Sequence, residues 1–535
     1  YLYGLVNLRL NDITNAKDGF SIASQSVEYR AASYLELAKI FVCEGENEKA
    51  LNYIEKSLQF QPSNRQSICL EIIINRLKGN KAVALSLTEK LIKNDPISYI
   101  AKFELSKLSN NTVENLTTSE MPYETYIEAA SFYSNLNLYR DALEILASSP
   151  QYALVSLWQA WLFSVSGEPE KAVQQLNLAD TLTPAFVFPH REEDVKVLTW
   201  AVDNHNSWKF KYYLALAYTQ NLRKQEGLQL LEACGSEPDF YSFYIIRAEL
   251  KKSTDDAGCL ADLEKARKHA PVQWRTALLL SKYFAEKENW EKALKIAKQA
   301  YQHNKANYYA GLQLAKCLMY THNYAAGIEL MNAIRVLPNE GAADGRNSWR
   351  ETHLYAALEN IDEKNWEQAI YYIRQSKIWP ENMGVGKPYH VDERLEDFME
   401  FYCLLQDNQE VPESLIDSIK YYRDSYKTTP YGSTDFLTML MFQYAGEFTK
   451  VYTVLANWLR QDANGLAIQW SKAFINNNID EVNLIGSKKQ VPIEALPYET
   501  PFDDRSFPFI KELYKRGIFE NFKLIEEKVI KKLSC

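Results

Sequence analysis

The chain has 535 residues and a formal net charge of −9, from 60 basic and 69 acidic side chains. That balance argues against a nucleic-acid surface, which needs clustered Lys and Arg to displace phosphate counterions. Apolar residues make up 46 %, which excludes wholesale disorder, and only 19 glycines are spent, too few for a β-rich or dinucleotide-binding protein.

Cysteines stand at 43, 69, 234, 259, 317, 403 and 535, with no C-x-x-C spacing, and read as small buried apolar residues. No apolar run reaches the 18 or more residues of a membrane span. The longest, 153–165, is broken by Ser156, Gln159 and Ser164. The chain opens in mid-pattern at Tyr1, without Met, which reads as a piece of a longer protein.

A repeat of 34 residues organises the sequence. Pro62 and Pro96 stand 34 apart, as do Ala293 and Gly327, and 34 is the tetratricopeptide period. The unit ending at Pro62 shows the pattern. Tyr34, Leu37, Ala38 and Phe41 take large, large, small and aromatic positions of a first helix. Gly45-Glu46-Asn47 makes the turn, and Ala50, Ile54 and Ser57 take small, large and small positions of a second helix. Small residues let two helices approach, large ones fill the groove, and proline stops the helix.

The register recurs down the chain. One unit has Tyr126, Ala130, Tyr133, Ala142 and Leu146; the next has Ala160, Phe163, Gly167, Ala172, Leu176 and Ala179. Others have Leu214, Ala215, Tyr218, Gly227 and Leu231; Leu280, Ser281, Phe284, Ala293, Ala297 and Ala300; Leu314, Ala315, Leu318, Gly327 and Met331; and Ala356, Ala357, Ala369, Ile373 and Ser376. Glu48-Lys49-Ala50, Glu170-Lys171-Ala172, Glu291-Lys292-Ala293 and Glu367-Gln368-Ala369 open four second helices, acidic side first, as the helix dipole favours. The expected fold is all-α, a right-handed superhelical solenoid of tetratricopeptide-like helix pairs, about a dozen of them. Phe41, Tyr133, Phe163, Tyr218 and Phe284 are expected in its core. The chain divides into N-terminal repeats over 1–110, middle repeats over 111–185, repeats with irregular glycine-rich inserts over 186–410, and C-terminal repeats with a cap over 411–535. The cap, 506–533, presents a lysine-rich face.

Three stretches break the repeat. The first, 109–122, carries two formal glycosylation sequons and reads as a loop. The second, 184–194, brackets an apolar cluster with prolines before an extra helix over 192–202. The third, 337–397, holds four glycines and three tryptophans, Trp349, Trp366 and Trp379. Glycine there permits close approach to a ligand. Gly386-Lys387 is no phosphate loop, because Glu381 and Pro388 stand where that motif needs glycine and Ser or Thr. His390, Asp392, Glu393 and Asp397 fit a metal or acid–base cluster, or else an acidic helix start at Val391 or Asp392 with Asp392 as cap.

Phe188-Pro-x-Arg-Glu-Glu-Asp-Val-x-Val-Leu198, Glu340-Gly-Ala-x-x-Gly-Arg346 and Gly384-Val-Gly-Lys-Pro-Tyr389 with Val391-Asp-Glu-Arg-Leu-Glu-Asp397 resemble one family. It is the C-terminal tetratricopeptide half of large bacterial proteins whose N-terminal half is a galactose-mutarotase-like domain of unknown function. The resemblance implies a carbohydrate theme, belonging to the N-terminal half, and a bacterial protein, cytoplasmic or periplasmic. The expected function is a scaffold for a protein partner or for that in-cis β-sandwich domain. The alternative is the helical part of a carbohydrate-active or carbohydrate-binding protein, contributing to a sugar site near 384–397. Candidate binding residues are Arg346, Trp349, Gly384, Gly386, Lys387, Tyr389, Asp392 and Arg394. No nucleophile elbow or His-Glu-x-x-His occurs, so no catalytic residue, metal ligand or cofactor is expected, and neither a nucleic-acid partner nor a membrane span.

Overall fold

The computed structural model describes residues 1–109, 116–117, 119–220, 222–338, 343–488 and 505–520. Among these the secondary structure is helical throughout, and no helix is long and apolar enough to cross a membrane. The chain forms two compact units, Tyr1–His269 and Ala270–Cys535. The boundary falls inside the segment read from sequence as 186–410. Each unit is an α–α solenoid in which helices pack chiefly against their sequence neighbours.

The pairs follow the predicted register. In the first unit Arg30–Cys43 packs on Asn47–Phe60, and Ala153–Val165 on Pro169–Thr181. In the second, Trp274–Glu286 packs on Trp290–His303, and Asp344–Asp362 on Trp366–Ser376. Ala50, Ala172, Ala293 and Ala369 are buried between paired helices. Gly227 has the same role, since a Cβ there would stand 3.1 Å from the Ala215 carbonyl oxygen.

In nine of the pairs the backbone turns left-handed five residues before a buried position of the second helix, small in every case but Val451. Gly45, Gly79, Gly167 and Gly446 occupy this position with φ between 74° and 81°, and Asn137, Leu222, Glu288, His322 and Lys364 occupy it with φ between 57° and 61°. The turn is a Schellman closure: Glu46 N–H donates to the Phe41 carbonyl at 2.8 Å and Gly45 N–H to that of Val42 at 3.0 Å. Asn289 to Phe284 (2.9 Å) and Asn365 to Asn360 (2.8 Å) repeat it.

The aromatic whose carbonyl closes the turn has a second role. Tyr133 is fully buried as expected, but Phe41, Phe163, Tyr218 and Phe284 are half-buried at the edge of the stack. A lysine eight residues on covers the ring: Lys49 lies 5.7 Å from the Phe41 centroid, Lys171 5.3 Å from Phe163, Lys292 5.3 Å from Phe284 and Lys450 5.1 Å from Phe442. Arg223 covers Tyr218 at 3.8 Å. Each such contact stabilises by about 0.5–1 kcal/mol at exposed sites. This is the physical content of the Glu-Lys-Ala phrase. The unit that reads Glu-Gln-Ala has Asn360, not a ring, at the corresponding place.

The breaks resolve into specific structures. The extra helix runs Glu192–Asn204. Buried Asp194 caps its start by accepting from the backbone N–H of His190 (3.1 Å) and Arg191 (3.0 Å) and from the Trp158 indole (2.9 Å). Arg191 pairs with Glu124 and Glu128. Both sequon asparagine positions of the first break, Asn110 and Asn115, lie outside the described residues. Of the cap, Phe507–Lys515 buries Phe507, Phe509, Ile510 and Leu513, while Arg516 pairs with Asp362; the lysines beyond residue 520 lie outside the described residues. The six described cysteines are free. Cys69, Cys234, Cys259, Cys317 and Cys403 are buried, and burial raises their thiol pKa values.

Lys364 holds a left-handed φ of 57° without being glycine, which costs about 1–2 kcal/mol. Lys364→Gly is expected to stabilise the second unit by about 1 kcal/mol and Lys364→Val to destabilise it, measured by thermal unfolding followed by tryptophan fluorescence.

Candidate functional site

The third break folds back on the second unit as a strap. Helix Tyr324–Ala333 ends before an extended stretch, and Val336 N–H donates to the Asn382 carbonyl at 2.8 Å. The Asn382 side-chain amide donates to the carbonyls of Met331 (2.8 Å) and Ile334 (2.9 Å). The glycines serve this contact. A Cβ on Gly345 would meet the Met383 carbonyl oxygen at 2.4 Å, and one on Gly384, whose φ is +71°, would meet that of Val336 at 2.8 Å. The close approach expected at Gly384 is therefore to the chain itself. Gly341 lies outside the described residues.

Beyond the strap the next helix begins at Arg394 and runs to Gln406, two or three residues later than the expected start at Asp392 or Val391. Glu393 is its N-cap position, and Asp392 accepts from Arg394 N–H at 3.2 Å. Arg394 is a clasp. Its Nε and Nη2 donate to the two Asp392 oxygens (2.9 and 2.8 Å), Nη1 to Asp435 (2.8 Å) and Thr438 (3.0 Å), and Nη2 also to Thr434 (2.8 Å). All five guanidinium protons are used. The Tyr422 ring covers it at 4.1 Å. Fully buried Asp435 also accepts from Arg423 and from Gly432 N–H. Arg394 holds the Asp392 carboxyl below its usual range against the opposing effect of burial, and the two aspartates push the Arg394 pKa up.

A cleft of about 350 Å³ opens beside this clasp, at the small end of ligand pockets, roughly 300–1,000 Å³. Arg346, Arg350, Trp379, Asp392, Glu393 and Glu396 help to line it. Arg350 and Glu396 pair at 2.5 and 3.2 Å, with Arg350 also reaching Ser506 at 3.2 Å. Arg346, 5 % exposed, donates from Nη2 to the Ser376 carbonyl (2.8 Å), and its guanidinium lies 4.4 Å from the Trp379 ring centre. Its Nε and Nη1 have no partner. Burial, with the neighbouring Arg350 charge, brings its pKa down to about 10, so the group stays a cation at neutral pH.

The cleft thus gathers Arg346, Asp392 and Arg394 from the expected residues. Trp349 is behind it, in the core, with its indole donating to the Gln375 carbonyl at 3.0 Å. Gly386 has open space around it, Lys387 is exposed with its ammonium 3.7 Å from Glu393, and Tyr389 is 95 % exposed. The expected acid cluster does not converge. Asp397 binds Lys377 (2.6 Å) and Ser418 (2.6 Å), while His390 packs edge-on to Tyr389 and Tyr426. No group of three metal-ligating side chains occurs among the described residues. Trp379 was visible as a tryptophan in the irregular stretch. Glu396 stood in the 391–397 phrase without being singled out, Arg350 carried no local signal, and Tyr422 and Thr434 come from about 30 and 40 residues further along the chain.

No protein-family model and no curated protein matches the chain. Solved structures that resemble it include the Naa15/Naa10 complex bound to HypK-THB, with 12 % identity over 97 % of this chain and 98 % of that one and a TM-score of 0.34. Yeast Tom70 is 11 % identical over 86 % and 100 %, with a TM-score of 0.30. A tetratricopeptide repeat protein from Parabacteroides merdae ATCC 43184 is 15 % identical over 54 % and 98 %, with a TM-score of 0.23. Likenesses of this size go no further than the helical-repeat class that the helix pairs display.

Two outcomes follow from the buried charges. Removing one partner of the clasp strands the others, so Arg394→Met or Asp435→Asn is expected to cost about 3–5 kcal/mol in urea unfolding. Arg394→Lys is not expected to restore it, because an ammonium cannot reach these acceptors as a planar fork does. His353, 2 % exposed, bonds through Nδ1 to the Trp349 carbonyl (2.7 Å), and burial pushes its pKa down to about 4. Between pH 6.5 and 4 the unfolded chain takes up a proton there that the folded chain refuses. Stability should therefore fall as pH drops through that window, by on the order of 3 kcal/mol in all. His353→Phe should flatten this part of the stability–pH curve.

Proposed function

We propose that the chain is a non-catalytic helical-repeat scaffold that holds a protein partner, or an in-cis N-terminal β-sandwich domain, along its stacked helix pairs. The observation that carries this reading is the stacking itself. Helices that pack on their sequence neighbours leave the remaining faces to solvent, and repeats of this kind present extended binding surfaces.

The cleft favours a second reading, a carbohydrate site of a bacterial protein near 384–397. Arg346, Trp379, Asp392 and Arg394 form its wall, with aromatic and charged groups of the kind that hold polar ligands. In this reading Arg394 positions Asp392 and the cleft wall, since its own protons are spent within the fold.

The two are separated by one pair of assays on the full chain and on an Arg346→Met/Lys387→Ala variant. Proteins that co-purify are identified, prepared pure and rebound, with hydrogen exchange read on the chain. Saturable one-to-one rebinding with protection along the repeats, unaltered in the variant, is the scaffold outcome. A glycan-array signal that the variant loses is the carbohydrate outcome. If no purified protein rebinds, the scaffold reading is wrong.

A further inference from the structure

Unpaired buried polar groups are rare in folded proteins, and each one calls for a partner. Among the described residues nine buried side-chain nitrogen or oxygen atoms have none. Four of them, Arg346 Nε and Nη1, Trp379 Nε1 and Glu393 Oε1, belong to residues that line the one cleft beside Arg394. The remaining five belong to Ser33, Glu124, Gln175, Tyr213 and Gln443, none of which lines it. Leaving a buried donor or acceptor unmade costs about 1–3 kcal/mol, more for a charged group. Such a concentration marks a place where an external group completes the hydrogen bonding.

The charges define that group. Arg394 is neutralised by Asp392 and Asp435, and Arg350 by Glu396. Glu393 faces Lys387 at 3.7 Å. Arg346 alone among the lining cations lacks a carboxylate partner, and its one bonded nitrogen donates to a carbonyl. One uncompensated positive charge matches a monoanion. A phosphate dianion would add a second negative charge among Asp392, Glu393 and Glu396. Beside the unpaired donors stands one acceptor without a hydrogen bond, Glu393 Oε1, which lies 3.7 Å from the Lys387 ammonium and is open to a donor on the same ligand.

We infer that the cleft binds a small organic monocarboxylate that also carries a hydroxyl group, with the carboxylate on Arg346 and Trp379 and the hydroxyl on Glu393. This rests on reading the cleft as a ligand site and adds the charge and polarity of the ligand. Planar guanidinium donors suit a carboxylate, and charge-assisted bonds of this kind are roughly twice as strong as neutral ones.

Trp379 supplies the direct probe. The full chain is labelled with 15N-tryptophan, and the indole N–H signal missing in Trp379→Phe is followed by NMR during titration. The ligands are D-glucuronate, glycine, D-glucose, acetate and inorganic phosphate. The expected result is a saturable shift with glucuronate and at least tenfold weaker binding of glycine, acetate, glucose and phosphate. Arg346→Met should weaken the carboxylate at least tenfold. Glu393→Gln should narrow the gap between glucuronate and acetate. Both variants are first checked for wild-type thermal unfolding, and the wild-type titration decides alone if either fails to fold. Glucose binding as tightly as glucuronate would sink the carboxylate inference while sustaining a sugar site. A Trp379 signal unmoved by all five ligands would overturn both, leaving water as the occupant.

Discussion

The close approach of two helices at a single small residue is the constraint on which the rest depends. Ala50, Ala172, Ala293, Ala369 and Gly227 bring the backbones together, and the left-handed residue five positions earlier reverses the chain so that they can meet. Moving either by one residue would rotate the second helix by about 100°, since a turn holds 3.6 residues, and take its apolar stripe off its partner. The spacing therefore persists even where a glycine is replaced by Glu288, His322 or Lys364. The packing is strong enough to hold those residues in a conformation that they resist on their own.

Where the repeat breaks, polar clasps replace small-residue contacts. The strap over 379–384 is tied by Asn382 and by two glycines that admit a carbonyl oxygen. The following helix is locked by Arg394, whose fork joins Asp392, Thr434, Asp435 and Thr438. A similar solution serves the earlier break, where Asp194 satisfies two backbone N–H groups and an indole. An irregular segment has backbone polar groups that no helix satisfies, and side chains supply partners: Asn382 for two carbonyls and Asp194 for two N–H groups, while Arg394 joins side chains alone. Two of the candidate binding residues, Gly384 and Arg394, thus hold the fold.

The same clasp makes the cleft. By consuming the charges of Asp392 and Asp435 it leaves Arg346 as a lone buried cation against Trp379. Paired buried charges are rigid and electrically quiet, whereas an unpaired one pays its desolvation cost without return. The contrast between Arg394, with every proton engaged, and Arg346, with two nitrogens idle, separates a structural arginine from a candidate binding one.

The sequence by itself determined the helix pairs, their register and the turn at Gly45, because those depend on interactions within about ten residues: a period, a small side chain, a proline stop. It also located the irregular stretch at 337–397 and named Arg346, Asp392 and Arg394 within it. It did not separate Arg394 from Arg346, place Trp349 in the core and Trp379 at the cleft, or move Gly386, Lys387 and Tyr389 to the exterior. The first of these rests on Ser376, which meets Arg346, and on Thr434 and Asp435, which meet Arg394, only after the helices have stacked. Periodicity records which face of a helix is buried. Which buried charge finds a partner is decided by residues distant in sequence, and only the tertiary structure brings them together.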